Sequence, residues 1–309
     1  MTRLVLFLGL STVAAAFGQD SDVQSPAAKT LAAELSRIER ESGGQLGLAA
    51  TYPEKNLRIG WRATDRFPLA ELAHLPVAIR AMALMEAGVL PFRKWVRVEP
   101  DSYVSGRSPI RDRYPEGAVL TIGQLLRYAI AENDATAGDV LLTLSGGPQP
   151  LTSTMQRLVK DGLRVDRTAK EQRADLEKNG AQAGPDDPRD STTPEAYTAL
   201  LTMVHRRVLL KPKPSELLLS WLAEASQSPH RLKALLPPDV RVWHLPGTCG
   251  SKDKLNFCTS VAGGIILPAD QGHILLSVFL KLSPHDEAAR EKTLAETTLA
   301  VYRFFTTPQ

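Results

Sequence analysis

Glu71 and His74 are the first residues whose types and spacing suggest chemistry, and they lie in the segment RFPLAELAHLP at 66–76. Side chains three residues apart share one face of a helix, so an acid and a base placed this way can exchange a proton. Such a pair can serve an acid–base reaction or part of a metal site, although a solvated carboxylate beside a hydrogen-bonded histidine is commoner. A zinc site needs three or four ligands, and no HExxH or similar cluster accompanies the pair, so we expect no metal and no cofactor.

The helix that carries this pair is expected to begin late. Apolar residues recur with a helical period from Leu75 to Met85. Pro76 has no N–H for the carbonyl of residue 72, and its ring would clash inside a helix that already runs from residue 70. Proline fits best in a first turn, so we predict a helix start near Leu75.

The rest of the chain reads as a helix, two strands, several helices, three strands and a helix. Apolar spacing predicts helices over 28–42, 120–144, 194–207 and 214–225, and a hairpin formed by LGLAATY and LRIGWRA. Strands are predicted at 240–250, 256–267 and 273–282, followed by a last helix with Ser283 as its N-cap. Residues 163–194 are polar and lack a period, which predicts a long loop.

This order predicts an α+β fold of the α/β sandwich kind. We expect a five-stranded antiparallel sheet flanked by the N- and C-terminal helices, plus an all-α lobe. A single domain would cover 19–309, with an α/β lobe formed by 25–65 and 210–309 and the all-α lobe by 66–209. The cleft between the two lobes is the expected ligand site.

Five segments in this order resemble the class A serine β-lactamases over nearly all of the mature chain. They are RFPLAELAHLPVAIRAMALMEAG, SPIRDRYPEGAVLTIGQLLRYAIAENDATAGDVLLTLSGG, DSTTPEAYTALL, LKALLPPDVRVWHLPGTCG and VAGGIILPADQGHILLSVFL. The resemblance implies the β-lactamase-like fold. The activity that it implies is hydrolysis of a cyclic amide through a serine that a lysine one helical turn later helps to activate.

The matching positions depart from the family's chemistry. Glu71 stands at the nucleophilic serine and His74 at the lysine, while Asn133, Asp134 and Ala135 replace Ser-Asp-Asn. Of that second motif only Asp134 survives, and its role in the family is largely to hold the loop. A late helix start would also move Glu71 and His74 from the positions that the family's serine and lysine occupy.

The strand that closes the cleft shows a similar departure. Leu245, Pro246 and Gly247 stand where the family has Lys-Thr-Gly, and Thr248 follows. The resemblance makes Leu245, Gly247 and Thr248 the substrate-binding positions. Proline is confined to sheet edges, and this strand is the edge at the cleft, so Pro246 is tolerable. Since N–H directions alternate along a strand, Thr248 is expected to aim its N–H at the cleft as half of an oxyanion hole.

Glu171 and His244 are two further candidates for the site. The family's deacylating glutamate lies in the long loop, where Thr168-Ala169 lacks the acid and Glu171 comes two residues late. A base shifted to Glu171 is one alternative, and loss of the activated water is the other. His244 either borders the cleft or is an ordinary strand histidine.

The first eighteen residues, MTRLVLFLGLSTVAAAFG, resemble a secretory signal peptide. Their apolar run of roughly a dozen residues is shorter than the ~20 that a membrane-spanning helix needs. No cysteine follows the run, so we expect no membrane anchor after cleavage. The mature protein is therefore expected in the periplasm or medium, as a monomer.

The charge and the cysteine content of the chain indicate which partners and which cysteine state to expect. Lys plus Arg (37) exceed Asp plus Glu (34) by only three and are spread along the chain, which argues against nucleic-acid binding. Cys249 and Cys258 are the only cysteines. If their segment is a hairpin they could form a disulfide, and otherwise they are two buried thiols.

Two functional hypotheses follow. In the first, an exported class A β-lactamase-like protein has lost serine catalysis and persists as a pseudoenzyme that binds a peptidoglycan-derived peptide or a β-lactam-like ligand. In the second, the scaffold remains an active hydrolase, either a weak β-lactamase or an amide or ester hydrolase that uses Glu71, His74 and Asp134. Loss of nucleophile, lysine, relay serine and strand lysine together favours the first, because such residues act as a unit.

Overall fold

A computed structural model describes residues 25–179, 187–225, 227–251, 254–269 and 271–307, with the backbone alone at 250–251 and 254–257. The predicted signal peptide at 1–18 lies outside the described residues. The helices are α1 Pro26–Ser42, α2 His74–Glu86, α3 Pro109–Arg113, α4 Ile122–Ala131, α5 Ala135–Leu144, α6 Pro148–Val159, α7 Ala169–Asn179, α8 Pro194–His205, α9 Pro212–Glu224 and α10 Glu287–Thr306. The strands are β1 Gln45–Tyr52, β2 Leu57–Trp61, β3 Phe67–Pro68, β4 Trp95–Val98, β5 Ala118–Thr121, β6 Ser191–Thr192, β7 Arg241–Ser251, β8 Lys254–Ile266 and β9 His273–Lys281.

The main sheet confirms the predicted fold class. Its five strands lie in the order β2-β1-β9-β8-β7, and every neighbouring pair is antiparallel. Strand β7 is therefore an edge strand, which explains why the sheet accepts Pro246 there. Short two-stranded ribbons, β3 with β6 and β4 with β5, extend the structure outside this sheet.

Alternating residues of β9 separate two apolar cores. Ile274, Leu276 and Val278 belong to a core shared with α1 and α10, which cover one face of the sheet. Leu275 and Phe279 belong to a second core, which contains the buried residues of the central helices. This alternation is what a strand buried on both faces requires.

Helix α9 packs against both strand β7 and the central helices. Leu218 and Trp221 belong to the same apolar core as α2 and α4, although 210–309 is the range predicted for the α/β lobe. Trp243 and Leu245 of β7 belong to this core as well, so α9 lies where the sheet meets the central helices.

Two local predictions are wrong. The polar segment 163–194 contains helix α7, so it is not a continuous loop, although 180–186 lie outside the described residues. The last helix begins at Glu287 with Asp286 as its N-cap, because the Asp286 carboxylate accepts the Ala289 N–H at 2.8 Å. Ser283 instead donates its hydroxyl proton to the Ser42 carbonyl at the end of α1.

Strands β7 and β8 place Cys249 opposite Cys258, and the two residues form a disulfide. This selects the disulfide from the two alternatives that the sequence leaves open. Within the part of the chain that the structure describes, no helix has the length and apolar character needed to cross a membrane.

Candidate active site

The segment 66–76 reaches the cleft through a strand, a turn and a helix start. Strand β3 pairs with β6, residues Ala70–Ala73 form a 3₁₀ turn, and α2 begins at His74. Pro76 is thus the third residue of the helix, where no intrahelical bond needs its N–H. The prediction of a late helix start is confirmed.

Residues 66 and 67 are part of the scaffold. Arg66 donates to the Ser191 hydroxyl at 3.1 Å, and the Phe67 ring stacks on Phe279 with centroids 5.5 Å apart. Ala70 has φ +46°, a left-handed conformation that costs an L-residue about 1–2 kcal/mol. These contacts hold the start of the turn that carries Glu71.

The Glu71 carboxylate lies against edge strand β7. Its Oε2 accepts the Thr248 N–H at 2.8 Å, and its Oε1 is 3.7 Å from Nη2 of Arg173. The Glu71 side chain is only 15% exposed. The predicted direction of the Thr248 N–H is therefore confirmed, and the N–H that points into the cleft is occupied by the carboxylate of residue 71.

His74 has partners that are separate from those of Glu71. Its ring is 4% exposed, and Nδ1 donates to the Ala129 carbonyl at 3.0 Å, which places a proton on Nδ1. Gly138 of α5 packs against the other side of the ring, where a Cβ atom would lie 2.6 Å from Nε2. The His74 N–H donates to the Glu71 carbonyl in the 3₁₀ turn, but within the described residues no hydrogen bond or ion pair joins their side chains.

Asn133 and Asp134 connect the loop before α5 to its surroundings. Asn133 has φ +54°, and its Nδ2 donates to the Pro246 carbonyl across the cleft at 3.4 Å. Its Oδ1 is buried and has no partner among the described residues. The Asp134 carboxylate caps α5 by accepting the Ala137 N–H at 2.8 Å, and it also accepts the Ile110 N–H at 2.6 Å.

Burial dominates the electrostatics of Asp134. Desolvation raises the pKa of this carboxyl group, and the N–H groups of Ile110 and Ala137 oppose that shift by stabilising the charged form. Asp134 is not among the residues that line the cavity between α2, α5 and α7. Its contacts are those of a residue that holds the loop, as the resemblance implies.

The strand positions predicted to bind substrate have different surroundings. Leu245 is buried in the helical-side core and is not among the residues that line the cavity beside Glu71. The Gly247 carbonyl accepts a hydrogen bond from Arg231 at 2.8 Å. Of the predicted strand positions, Thr248 lines the cavity.

Arg231 is a site-supporting residue that the sequence analysis missed. It is 2% exposed and donates to the Thr248 hydroxyl at 2.8 Å as well as to Gly247. It also forms ion pairs with Glu291 at 2.9 Å and Glu287 at 3.3 Å. No spacing in the segment before β7 marks this arginine, whose partners come from a later strand and from α10.

Glu171 is part of a helix cap. Its Oε2 accepts the Thr168 N–H at 2.8 Å, and the Thr168 hydroxyl accepts the Glu171 N–H at 3.1 Å, which is a capping box. Asp139 of α5 accepts the N–H groups of Ala169 at 2.6 Å and Lys170 at 2.9 Å. Desolvation raises the pKa of Asp139, and these two N–H groups oppose the shift.

Arg167, just before α7, ties the start of this helix to the segment that follows it. Its guanidinium group forms ion pairs with Asp190 at 2.7 Å, Asp175 at 2.6 Å and Asp187 at 3.3 Å. Burial raises the pKa of the Asp190 carboxyl group, and hydrogen bonds from the N–H of Asp166 and from Arg167 counter it. This charged cluster supports the wall from which Arg173 reaches Glu71.

These elements enclose a cavity of about 130 Å³ beside α2, α5 and α7. Its lining includes Glu71, His74, Asp139, Arg173 and Thr248, and the charged cluster of Arg167, Asp187 and Asp190. At roughly 10–15 Å³ of such space for each water, the cavity has room for about ten water molecules or a small organic group.

His244 is a buried strand histidine whose Nε2 donates to the Gln227 carbonyl at 2.8 Å. Desolvation lowers the pKa of His244 below its ordinary value of 6.5. The unfolded chain therefore takes up a proton before the folded chain does. Stability from the neutral ring is complete above the unfolded pKa and is lost as the pH falls through the window below it.

We therefore expect His244→Gln, which keeps a donor for Gln227 without titrating, to flatten the acid side of the stability profile. Between about pH 7 and about pH 5, the free energy of unfolding should fall more steeply in the wild type than in the variant. Urea unfolding at a series of pH values measures this difference. Parallel profiles for the two proteins would contradict the buried neutral histidine.

Comparisons with known proteins agree with this architecture. The family model described as beta-lactamase enzyme family matches residues 29–305. The carbapenem-hydrolyzing beta-lactamase KPC of Klebsiella oxytoca is 28% identical over 296 residues, which cover 95% of this chain and 93% of that protein. Beta-lactamase VEB-1 of Pseudomonas aeruginosa is 24% identical over 278 residues, which cover 89% and 90% of the two chains.

Solved structures of beta-lactamases are also similar to this chain. A beta-lactamase from Chitinophaga pinensis superposes with a TM-score of 0.80 at 26% identity, covering 88% of this chain and 98% of the other. An ancestral class A beta-lactamase superposes with a TM-score of 0.77 at 28% identity, covering 88% and 99%. The class A resemblance inferred from the five sequence segments is confirmed.

Proposed function

Because the chain belongs to the beta-lactamase enzyme family, we propose that it is an exported class A-like protein without serine acyl-transfer activity. In this proposal it acts as a pseudoenzyme that binds a peptidoglycan-derived peptide or a β-lactam-like ligand in the cleft. The class A scaffold supports the class of ligand. The signal-like segment at 1–18 supports export, since it has the basic start, apolar run and small-residue exit of a secretory leader.

One observation carries the proposal: the carboxylate at residue 71 accepts the Thr248 N–H at 2.8 Å. In an acyl-transfer site, such an N–H stabilises the oxyanion that develops on the substrate carbonyl. A carboxylate that already accepts this N–H blocks the donor, and its negative charge would repel a second anion beside it. Glu71 thus stands in place of the expected nucleophile, and its carboxylate also occupies the expected oxyanion hole.

The base position supports the same proposal. His74 stands where the class A family has the lysine that receives the nucleophile's proton. The Nδ1–H of His74, however, donates a hydrogen bond to the Ala129 carbonyl. Its ring is buried and has no hydrogen bond to Glu71 among the described residues. A base must reach the proton that it abstracts, so His74 and Glu71 would need to rearrange before acting together.

The test is turnover of a chromogenic cephalosporin by the mature protein, with intact-mass detection of a penicillin adduct. We expect hydrolysis at the buffer rate and no adduct for the wild type, for Glu71→Ala and for Glu71→Gln. Hydrolysis by the wild type that disappears in Glu71→Ala would contradict the proposal. It would instead favour the alternative hydrolase, which uses Glu71, His74 and Asp134.

Binding is tested separately by calorimetric titration of the wild type with ampicillin and with a stem peptide ending in D-Ala-D-Ala. We expect saturable binding of at least one ligand below ~1 mM, corresponding to about −4 kcal/mol or better. The variant Glu86→Gln changes a carboxylate of α2 that does not line the cavity, so it serves as the control with unchanged affinity. If the wild type bound neither ampicillin nor the stem peptide, the proposed binding role would be contradicted.

A further inference from the structure

Three metal-ligating side chains meet at the end of the sheet where β9 begins. Glu54 lies in the turn after β1, His205 is the last residue of α8, and His273 is the first residue of β9. One ligand atom from each residue lies within 4.8 Å of the others. In the described part of the chain, this is the only group of three or more His, Cys, Asp or Glu residues arranged in this way.

The three side chains are already partly organised. His273 donates through Nδ1 to Glu54 Oε1 at 2.9 Å, and its backbone N–H donates to Oε2 at 3.2 Å. The imidazole rings of His205 and His273 have centroids 4.3 Å apart. The ring nitrogens of His205 have no hydrogen-bond partner among the described residues, so they are available to a ligand.

The backbone is shaped around the carboxylate. Gly272 has φ +108°, which L-residues with side chains rarely adopt. A Cβ atom at this position would lie 2.6 Å from the carboxyl carbon of Glu54. The turn before β9 therefore brings Glu54 close to His273 only because residue 272 is glycine.

We propose that Glu54, His205 and His273 bind a divalent transition-metal ion, with zinc as the best match. Two imidazoles and one carboxylate are a ligand set that Zn²⁺ accepts, and a water molecule would complete a four-coordinate site. Zn–N distances near 2.0–2.1 Å require the ligand atoms to move closer than they are now. All three side chains are at least partly exposed, so small rotations can provide this movement.

The surroundings favour a nitrogen-seeking ion over a hard cation. Imidazole ligands suit Zn²⁺, Cu²⁺ and Ni²⁺, whereas Mg²⁺ and Ca²⁺ prefer sites made of oxygen ligands. Arg206 and Arg207 follow His205 in the chain and raise the local positive charge. This positive charge opposes every divalent cation, so the preference for zinc rests on the two imidazole ligands.

The proposed site is separate from the cleft and independent of the function proposed for it. None of its three residues lines the cavity beside Glu71. The metal would link the turn after β1, the end of α8 and the start of β9, which are distant in sequence. Its expected effect is therefore stabilisation of the folded chain, since an ion that binds only the folded state raises the melting temperature.

The experiment is calorimetric titration of the untagged, chelator-treated full chain with Zn²⁺, and Mg²⁺ serves as the negative control. We expect one zinc per chain, and a rise in Tm of about 5 °C at roughly a hundredfold excess of zinc over Kd. His205→Asn and His273→Asn should each weaken zinc binding by about tenfold or more, and Glu54→Gln by about tenfold. The control His230→Asn changes an exposed histidine elsewhere and should bind zinc like the wild type.

Several results would overturn the proposal. One is zinc binding that survives in the double variant His205→Asn/His273→Asn, and another is an unchanged affinity in Glu54→Gln. A third is the absence of binding by the wild type at ~100 µM Zn²⁺. The melting temperature of each variant in the absence of metal separates lost ligation from misfolding, and Glu54→Gln keeps an oxygen acceptor for the His273 N–H at an exposed position.

Discussion

Replacing Asp134 by alanine should lower the free energy of unfolding by about 3–4 kcal/mol. The Asp134 carboxylate is buried and accepts the N–H groups of Ile110 at 2.6 Å and Ala137 at 2.8 Å. Its removal leaves both donors without an acceptor in a region closed to water. A buried unsatisfied donor costs about 1–3 kcal/mol, and loss of the α5 N-cap adds to this.

Two variants locate the cause of that loss. Asp134→Asn keeps one oxygen acceptor, so it should lose roughly half as much stability as Asp134→Ala. Asp239→Ala removes an exposed carboxylate with no hydrogen bond or ion pair to any described residue, and it should change stability by less than about 0.5 kcal/mol. Urea unfolding monitored by circular dichroism measures all three. If Asp134→Ala were no less stable than Asp239→Ala, the structural role of Asp134 would be refuted.

Replacing Arg231 by methionine should lower the free energy of unfolding by about 3 kcal/mol. The guanidinium group lies in the interior, where it donates to the Gly247 carbonyl and the Thr248 hydroxyl at 2.8 Å each and pairs with Glu291 at 2.9 Å. Methionine fills much of the same volume but leaves these acceptors unpaired. The part of the loss due to Glu287 is expected to be small, because that side chain is 60% exposed.

The Arg231 prediction also concerns the site, because Arg231 holds the same residue whose N–H meets Glu71. Arg231→Lys retains the charge but cannot form the planar fork, so it should lose more than about 1 kcal/mol. Arg241→Met, at an exposed position at the start of β7, is the matched control and should lose less than about 0.5 kcal/mol. Equal stabilities for Arg231→Met and Arg241→Met would show that the buried arginine contributes nothing to strand β7.

Local patterns were sufficient for most elements of this fold. The amphipathic stripe of α1, the β1–β2 hairpin and the three C-terminal strands follow from apolar periods that depend only on neighbouring residues. Helix α7 could not be predicted in the same way, because AKEQRADLEKN has no apolar stripe. It depends on the Thr168–Glu171 capping box and on Asp139, thirty residues before Ala169.

Some residues of the candidate site were predictable from local sequence, and others were not. The aligned motifs identified Glu71, His74, Asn133, Asp134 and Thr248, and alternation along an edge strand predicted the direction of the Thr248 N–H. The role of Leu245 as a substrate-binding position stays a prediction, and the fold buries this apolar side chain in the core. Arg173, Arg231 and Asp139 carry no motif, so their contribution could not be read from spacing.

The sequence by itself determined the family scaffold and the residue types at its reactive positions, including a carboxylate at residue 71 and no serine there. Only the tertiary structure decided what that carboxylate does, since its partner Thr248 lies 177 residues later in the chain. The physical reason is that apolar periodicity is a local property of the chain. A hydrogen bond between distant residues depends on how every intervening element packs, and no short segment records that.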